Sequence, residues 1–379
     1  MIYLDNSAST YIKPKEVLKA VNDSLLYYSA NPGRSGHQAS IKTAIEIENV
    51  REILAKHFNA TSSQEIVFTQ NCTEALNTLI LGLAKPGNHI ICTENEHNSV
   101  LRPLEFLKKN NVIEYSIAYQ SNKKGIEVND IEKYIKSNTK IIICNHISNV
   151  NGDTANIKEI GEFCKKNNLI FIVDCAQSCG HKHIDIQKNN INFLTFAGHK
   201  GFYAPQSIGG IVMNSIIKPS PLKFGGTGTN SLELVQPDNY PDKLESGTLS
   251  TPLILGLGAG VEFVEKHFES IKNKIDDLTT YLLFELNKIE NIEIYTHPEN
   301  SNGVIAFNIK NINSNEIANL LNEKYNICVR GGYHCAPIKH KALNTISQGA
   351  IRVSLSFFNN FSDIERLLYA IKHLSKLYK

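Results

Sequence analysis

Short apolar runs alternating with amphipathic stretches constrain this chain more than any other feature. The runs read EIVFT (65–69), HIICT (89–93), KIIIC (140–144), LIFIVD (169–174) and IGGIVM (208–213). A further run, NFLTFAG (192–198), leads into His199-Lys200. Their Ile/Val content without polar alternation predicts strands covered on both faces. Between them, Ala75, Leu76, Leu79, Ile80 and Leu83 form one helical stripe, and Ile157, Ile160, Gly161 and Cys164 another. Such alternation predicts an α/β fold with a mostly parallel, doubly wound sheet. After about residue 255 the pattern changes. A long helical stretch (253–289) leads into strands near 292–296, 303–309, 327–330 and 349–354. A closing helix then carries Ile364, Leu367, Leu368, Ile371 and Leu374 on one face. With 379 residues the chain exceeds one compact core. The expected division is a large domain over 15–255 and a smaller α/β domain over 256–379, joined by 1–14. The Gly/Pro/Asn-rich segment 225–248 reads as a long loop of the kind that carries function.

Charge narrows the function. Lys+Arg 39 against Asp+Glu 37 leaves +2, with the lysines scattered, which argues against a nucleic-acid binder. No apolar run approaches the ~18 residues that span a bilayer. The start, MIYLDNSAST, lacks the basic and apolar regions of a secretion signal. Eight cysteines without such a signal point to free thiols in a reducing cytoplasm. Cys175, Cys179, His181 and His183 crowd into nine residues, too tightly for a tetrahedral zinc site, so they read as buried small groups and no metal is expected.

In open parallel sheets ligands bind beyond the carboxyl ends of the strands. The polar residues there are therefore the site candidates. EIVFT is followed by QNCTEALN, whose Asn71–Thr73 amides and Thr73 hydroxyl suit an anion seat at a helix start. An ordinary helix cap explains them equally well. HIICT is followed by His97, KIIIC by Asn149, LIFIV by Asp174 and Gln177, and NFLTFAG by His199-Lys200. A lysine at a strand end is usually solvated. Here an anion seat, an acid, an imidazole and a lysine converge on one edge, the set that pyridoxal phosphate needs.

At this point the chain resembles the class V aminotransferase superfamily, and within it the cysteine desulfurases and selenocysteine lyases. The resemblance rests on YLDNSAST, NCTEALN, EHNSVLRP, SNVNG, DCAQ, GHKGFYAPQSIGG, ESGTLSTP, VRGGYHCAP and IRVSLSFFNN, in that order from residue 3 to residue 360. The VRGGYHCAP form matches the subgroup whose cysteine sits in a short, structured segment. The resemblance implies the fold type I architecture of pyridoxal-phosphate transferases, with a seven-stranded large-domain sheet, and a homodimer.

Roles then follow from the matching positions. Lys200 is the expected Schiff-base lysine and Asp174 the partner of the pyridinium nitrogen. Gln177 would bond the phenolic oxygen and His97 would stack on the ring. Thr73, the Cys72 backbone and His199 would hold the phosphate, and Thr248 would reach the phosphate of a neighbouring subunit. Asn149 and Arg352 would face the substrate, Arg352 through its carboxylate. Arg330 and His37 are weaker candidates for the same face. Cys335, as thiolate, would take the sulfur of L-cysteine and release alanine, with selenium from L-selenocysteine as a second substrate. His334 beside it is a candidate for favouring the thiolate. The sulfur would pass on to an acceptor protein or thiol.

Ala197 stands where the family usually has Ser or Thr, and Cys72, Cys175 and Cys179 where it has small apolar residues. Two alternatives remain open: another pyridoxal-phosphate reaction, transamination or β-elimination, and a non-catalytic partner protein.

Overall fold

A computed structural model describes residues 1–33, 36–122, 125–300 and 302–377. Strand and helix alternate as the periodicities require. β1 (Ile2–Tyr3) precedes α1 (Lys15–Tyr27) and α2 (Gln38–Phe58). Next come β2 (Ile66–Thr69), α3 (Cys72–Leu83), β3 (Asn88–Thr93), α4 (Asn98–Lys109), β4 (Ile113–Ala118), α5 (Val128–Glu132) and β5 (Thr139–Asn145). They are followed by α6 (Ile157–Lys166), β6 (Ile170–Asp174), β7 (Phe193–Ala197), β8 (Gly209–Met213) and the long α7 (Thr251–Leu286). The remainder holds β9 (Ile292–Ile294), β10 (Val304–Ile309), α8 (Ser314–Tyr325), β11 (Ile327–Cys328), α9 (Pro337–Ala342), β12 (Ile351–Ser354) and α10 (Phe361–Leu377).

The central sheet has seven strands in the order β2-β8-β7-β6-β5-β3-β4. The pairs from β4 to β7 are parallel, and β8 runs antiparallel to both β7 and β2. The link from Ala197 to its partner Gly209 is too short for a crossover helix, so the chain returns as a hairpin-like antiparallel strand. β4 has no apolar run, because it is a half-exposed edge strand and alternates polar groups such as Glu114 and Ser116.

The C-terminal part forms a three-stranded antiparallel sheet, β12-β10-β9. β11 pairs instead with β1, Ile2 opposite Ile327. Leu4 and Ile2 pack into the same core as β10, β12 and α10. The helix α7 serves two cores. Ile254, Val261, Val264 and Ile271 pack against the large sheet, while Leu278, Leu282 and Leu286 pack against the C-terminal sheet. Backbone contact just beyond Lys200 requires glycine: a Cβ on Gly201 would strike the Cys179 carbonyl. This brings the segment after β6 directly against the segment after β7.

Candidate active site

The carboxyl ends of the parallel strands open into a cavity of about 210 Å³. Its wall includes Cys72, Thr73, His97, Asn149, Asp174, Gln177, His199, Lys200, Arg330 and Arg352, ten of the residues singled out from the sequence. Gly209, opposite Ala197 at the start of β8, has no room for a Cβ beside the Asn71–Cys72 backbone, so the first turn of α3 lies against the sheet edge. Asn71 caps that turn, its Oδ1 accepting from the Glu74 amide at 2.9 Å.

Asp174 ends β6 and is buried. Its Oδ1 accepts from the Ala176 amide at 2.9 Å and faces the Cys72 thiol at 3.5 Å; its Oδ2 faces Asn145 Nδ2 at 3.4 Å. Burial pushes the Cys72 thiol well above its usual pKa, with Asp174 adding to the effect, so it is neutral and available as a donor. Lys200 follows β7. Burial lowers the pKa of its ammonium, and the nearby Asp174 opposes that shift. The amine is thus easier to free of its proton than a surface lysine.

His97 is the N-cap of α4. Its Nδ1 accepts from the Ser99 amide at 3.1 Å, and the Ser99 hydroxyl links it to Thr73, at 2.8 Å from Nδ1 and 2.7 Å from Thr73 Oγ1. Burial first, then Lys200, pulls the His97 pKa down to about 4, so the ring is neutral. His199 falls to about 4 for the same reasons, and its Nδ1 has no partner.

The opposite wall comes from the C-terminal part. Arg352 on β12 is buried; its Nη1 donates to the Asn149 carbonyl at 3.0 Å and its Nη2 to Asp5 Oδ1 at 2.5 Å. Its Nε is unpartnered, as are Asn149 Oδ1, Asn145 Oδ1 and His334 Nδ1. With His199 Nδ1, that makes five unmatched polar atoms on residues lining one cavity. Buried polar groups are normally hydrogen-bonded, so such a set, which holds acceptors as well as the Arg352 Nε donor, fits a polar small molecule that both donates and accepts.

Cys335 is exposed and lies beside this cavity, in an opening of about 510 Å³ that shares Thr73, His97 and Ser99 with it. His334 and Cys335 both take left-handed backbone conformations, at φ 48° and 57°. The turn is fastened by its carbonyls: Asn149 Nδ2 donates to His334 O at 2.7 Å, and the Asn98 amide to Cys335 O at 2.8 Å. His334 donates from Nε2 to the Ala350 carbonyl at 3.0 Å. Burial, reinforced by Arg352, holds its pKa well below the usual imidazole value. It is therefore neutral and offers the neighbouring Cys335 no positive charge.

Besides Cys335, two expected residues lie outside the cavity wall. His37 is exposed and caps α2, its Nδ1 accepting from the Ser40 amide at 3.2 Å. Thr248 is exposed in the loop before α7. Other contributors escaped the sequence reading. Asn145 ends β5 beside Asp174, and Ser99 joins Thr73 to His97. Asp5, in the YLDNSAST motif, holds Arg352. The motif was visible, but not the contact across 347 positions.

The model of the Aminotransferase class-V family matches residues 2–367. A probable cysteine desulfurase of Pyrococcus abyssi is 34% identical over 394 aligned positions, covering 99% of this chain and 94% of the relative. One from Methanothermobacter thermautotrophicus is 32% identical over 376 positions, covering 97% and 92%. Among solved structures, an apo cysteine desulfurase of Thermococcus onnurineus superposes with a TM-score of 0.90 at 30% identity, over 99% of this chain and 94% of that one. A cysteine desulfurase of Escherichia coli, in an S-sulfonic acid form, gives 0.89 at 25% identity, over 99% and 94%. The matched span, the seven-stranded sheet and the lysine-acid-imidazole cavity agree, and this chain belongs to the class-V aminotransferase family.

Proposed function

We propose that the protein is a pyridoxal-phosphate-dependent cysteine desulfurase that converts L-cysteine to L-alanine and leaves the sulfur on Cys335. The observation that carries this reading is an exposed thiol fastened at the rim of a lysine-acid-imidazole cavity. A transaminase has no use for a thiol there. The relatives named as cysteine desulfurases support the same conclusion.

The residues present fit the cofactor. Lys200 would hold it covalently and Asp174 would pair with its ring nitrogen. The unpartnered His199 Nδ1, Thr73 and the first-turn amides of α3 would take its phosphate. Neutral His97 and Gln177 would flank the ring. Ala197 supplies no hydroxyl, so the phosphate loses one bond worth about 0.5–1.5 kcal/mol. When bound, the cofactor supplies the electron sink for chemistry at the substrate Cα. Arg352 orients the substrate carboxylate, and Asn149 lines the substrate side of the cavity. Lys200, with its lowered pKa, takes the Cα proton and later returns one. Cys335 as thiolate attacks the substrate sulfur. The S–S bond forms as the substrate C–S bond breaks, the electron pair stays with the carbon skeleton, and protonation there completes alanine. The balance is L-cysteine plus Cys335 thiol giving L-alanine plus Cys335 persulfide. A thiol or acceptor protein then takes the outer sulfur.

We also read the chain as a homodimer in which Thr248 serves the neighbouring site. The exposed Phe224, Leu232, Leu234 and Val235, in the same long loop region, support an apolar contact with a second copy. Selenocysteine is proposed as a second substrate and a reducing cytoplasm as the setting. All eight cysteines are free, and among the described residues no helix is long and apolar enough to cross a membrane.

The deciding experiment is incubation of the cofactor-loaded protein with L-cysteine and a reductant, measuring alanine and sulfide. Equal amounts of each are expected. Pyruvate with sulfide would indicate β-elimination instead.

A further inference from the structure

Lys339 is buried, and so are its two partners, Glu94 and Asp153. The Lys339 ammonium lies 2.9 Å from Glu94 Oε1 and 2.9 Å from Asp153 Oδ2. Lys339 belongs to α9, which begins two residues after Cys335. Both partners lie beyond the carboxyl ends of large-sheet strands. Glu94 follows β3 in the loop that ends at His97 and Asn98; Asp153 lies in the loop after β5 that carries Asn149.

These same two loops already hold the Cys335 turn through its backbone. Asn98 N bonds Cys335 O, and Asn149 Nδ2 bonds His334 O. Each loop therefore grips the thiol-bearing segment twice, once at the turn and once at Lys339. The carboxylates are themselves fixed: Glu94 Oε2 accepts from the Gln120 amide at 3.3 Å, and Asp153 Oδ2 from Asn151 Nδ2 at 2.9 Å. A turn with two consecutive left-handed residues, neither of them glycine, does not persist by local preference. It needs anchoring from outside, and Lys339 supplies an anchor one helical turn along the chain.

We propose that Lys339 is a positioning residue for Cys335: its buried bridge to Glu94 and Asp153 sets where the thiol stands relative to the substrate cavity. The proposal rests on the desulfurase reading for its catalytic consequence, but not for the clamp itself. Lys339 touches neither substrate nor cofactor. Its effect is on the reach and direction of the Cys335 sulfur.

The test uses the cofactor-loaded full chain. Lys339→Met alone strands two buried carboxylates and risks misfolding. The working variant is therefore Lys339→Met/Glu94→Gln/Asp153→Asn, which removes the bridge without leaving an unpaired charge. Four quantities are compared with wild type: the cofactor absorption band, KM for L-cysteine, single-turnover persulfide formation on Cys335, and alkylation of Cys335 by iodoacetamide. The expected result is an unchanged band and KM, persulfide formation slowed roughly tenfold to a hundredfold, and an altered alkylation rate, because a displacement of about 1 Å costs on that scale. Persulfide formation and alkylation at wild-type rates overturn the proposal. Loss of the cofactor band along with activity also overturns it, since that marks a role in general stability. If wild type forms no persulfide from L-cysteine, the desulfurase reading fails while the alkylation comparison still judges the clamp.

Discussion

The Asp5 carboxylate stands 2.5 Å from Arg352 Nη2, joining the N-terminal segment to the innermost cation of the C-terminal sheet. With Asn149 O on Nη1, two of the guanidinium nitrogens are engaged before any substrate arrives. The Nε is unpartnered, and on the proposed function it is the edge that would meet a substrate carboxylate. Arg352→Lys keeps a charge and loses the fork. Loss of a charged hydrogen bond worth about 1.5–3 kcal/mol is expected to raise KM for L-cysteine roughly tenfold to a hundredfold. Asp5→Asn is expected to raise KM more than it lowers kcat, because it frees Arg352 to turn. Steady-state kinetics check both, and an unchanged KM in Asp5→Asn would show that Asp5 does not orient the arginine.

Cys335→Ala separates thiol chemistry from cofactor chemistry. Alanine formation from L-cysteine is expected to fall at least about a hundredfold, with the absorption band retained. Selenium leaves carbon more readily, so alanine from L-selenocysteine is expected to survive in large part. Comparable turnover of L-cysteine by both proteins would refute the persulfide route.

Lys200→Ala is expected to abolish covalent retention of pyridoxal phosphate. Borohydride treatment followed by peptide mass analysis should place the label on Lys200 in wild type and nowhere in the variant. A wild-type label on a different lysine would displace Lys200 from its assigned role.

Acid sensitivity follows from buried neutral imidazoles. His97, His181, His199 and His340 are held down to about 4, and His146 to about 3, in each case mainly by burial. In the unfolded chain these groups take up protons near pH 6.5. The unfolded state thus binds more protons between pH 6.5 and 4, and stability falls as pH drops through that window. Glu96 acts the other way: burial raises its pKa to about 8, so the fold keeps a proton that the unfolded chain releases near 4.5. Its effect is lost stability as pH rises from 4.5 toward 8, about 1.4 kcal/mol per pH unit. Denaturant unfolding across pH is expected to show Glu96→Gln gaining on wild type as pH rises from 5 to 8. A constant difference over that range would mean that Glu96 is ionised in the fold.

What the sequence revealed is what lies at strand ends. Asp174, Lys200 and His97 were legible because apolar runs mark the strands, and the parallel-sheet rule places their successors on one edge. The antiparallel course of β8 was not legible, since an apolar run carries no direction. β4 was hidden because an edge strand needs no apolar alternation on both faces. Lys339 was missed for a different reason. Within PIKHK it has the composition of a solvated surface, and only tertiary structure supplies its two carboxylates. His334 was read as a possible source of charge; its burial against Arg352 removes that option.

The contacts of residues 4–7 with β12 and its successors have a consequence for biosynthesis. Leu4 O accepts from the Ser354 amide, the Ser7 amide donates to Ser354 Oγ, and Asn6 Nδ2 reaches Asn359 Oδ1. Ser7 and Ala8 line the cavity with Lys200, so one wall of the site waits for residues synthesised some 350 positions later. On the ribosome residues 2–6 lack their β11 and β12 partners until nearly all of the chain has emerged. A nascent chain stopped before residue 350 is expected to build the large sheet yet hold pyridoxal phosphate poorly, making cofactor capture a late signal that translation has run through β12.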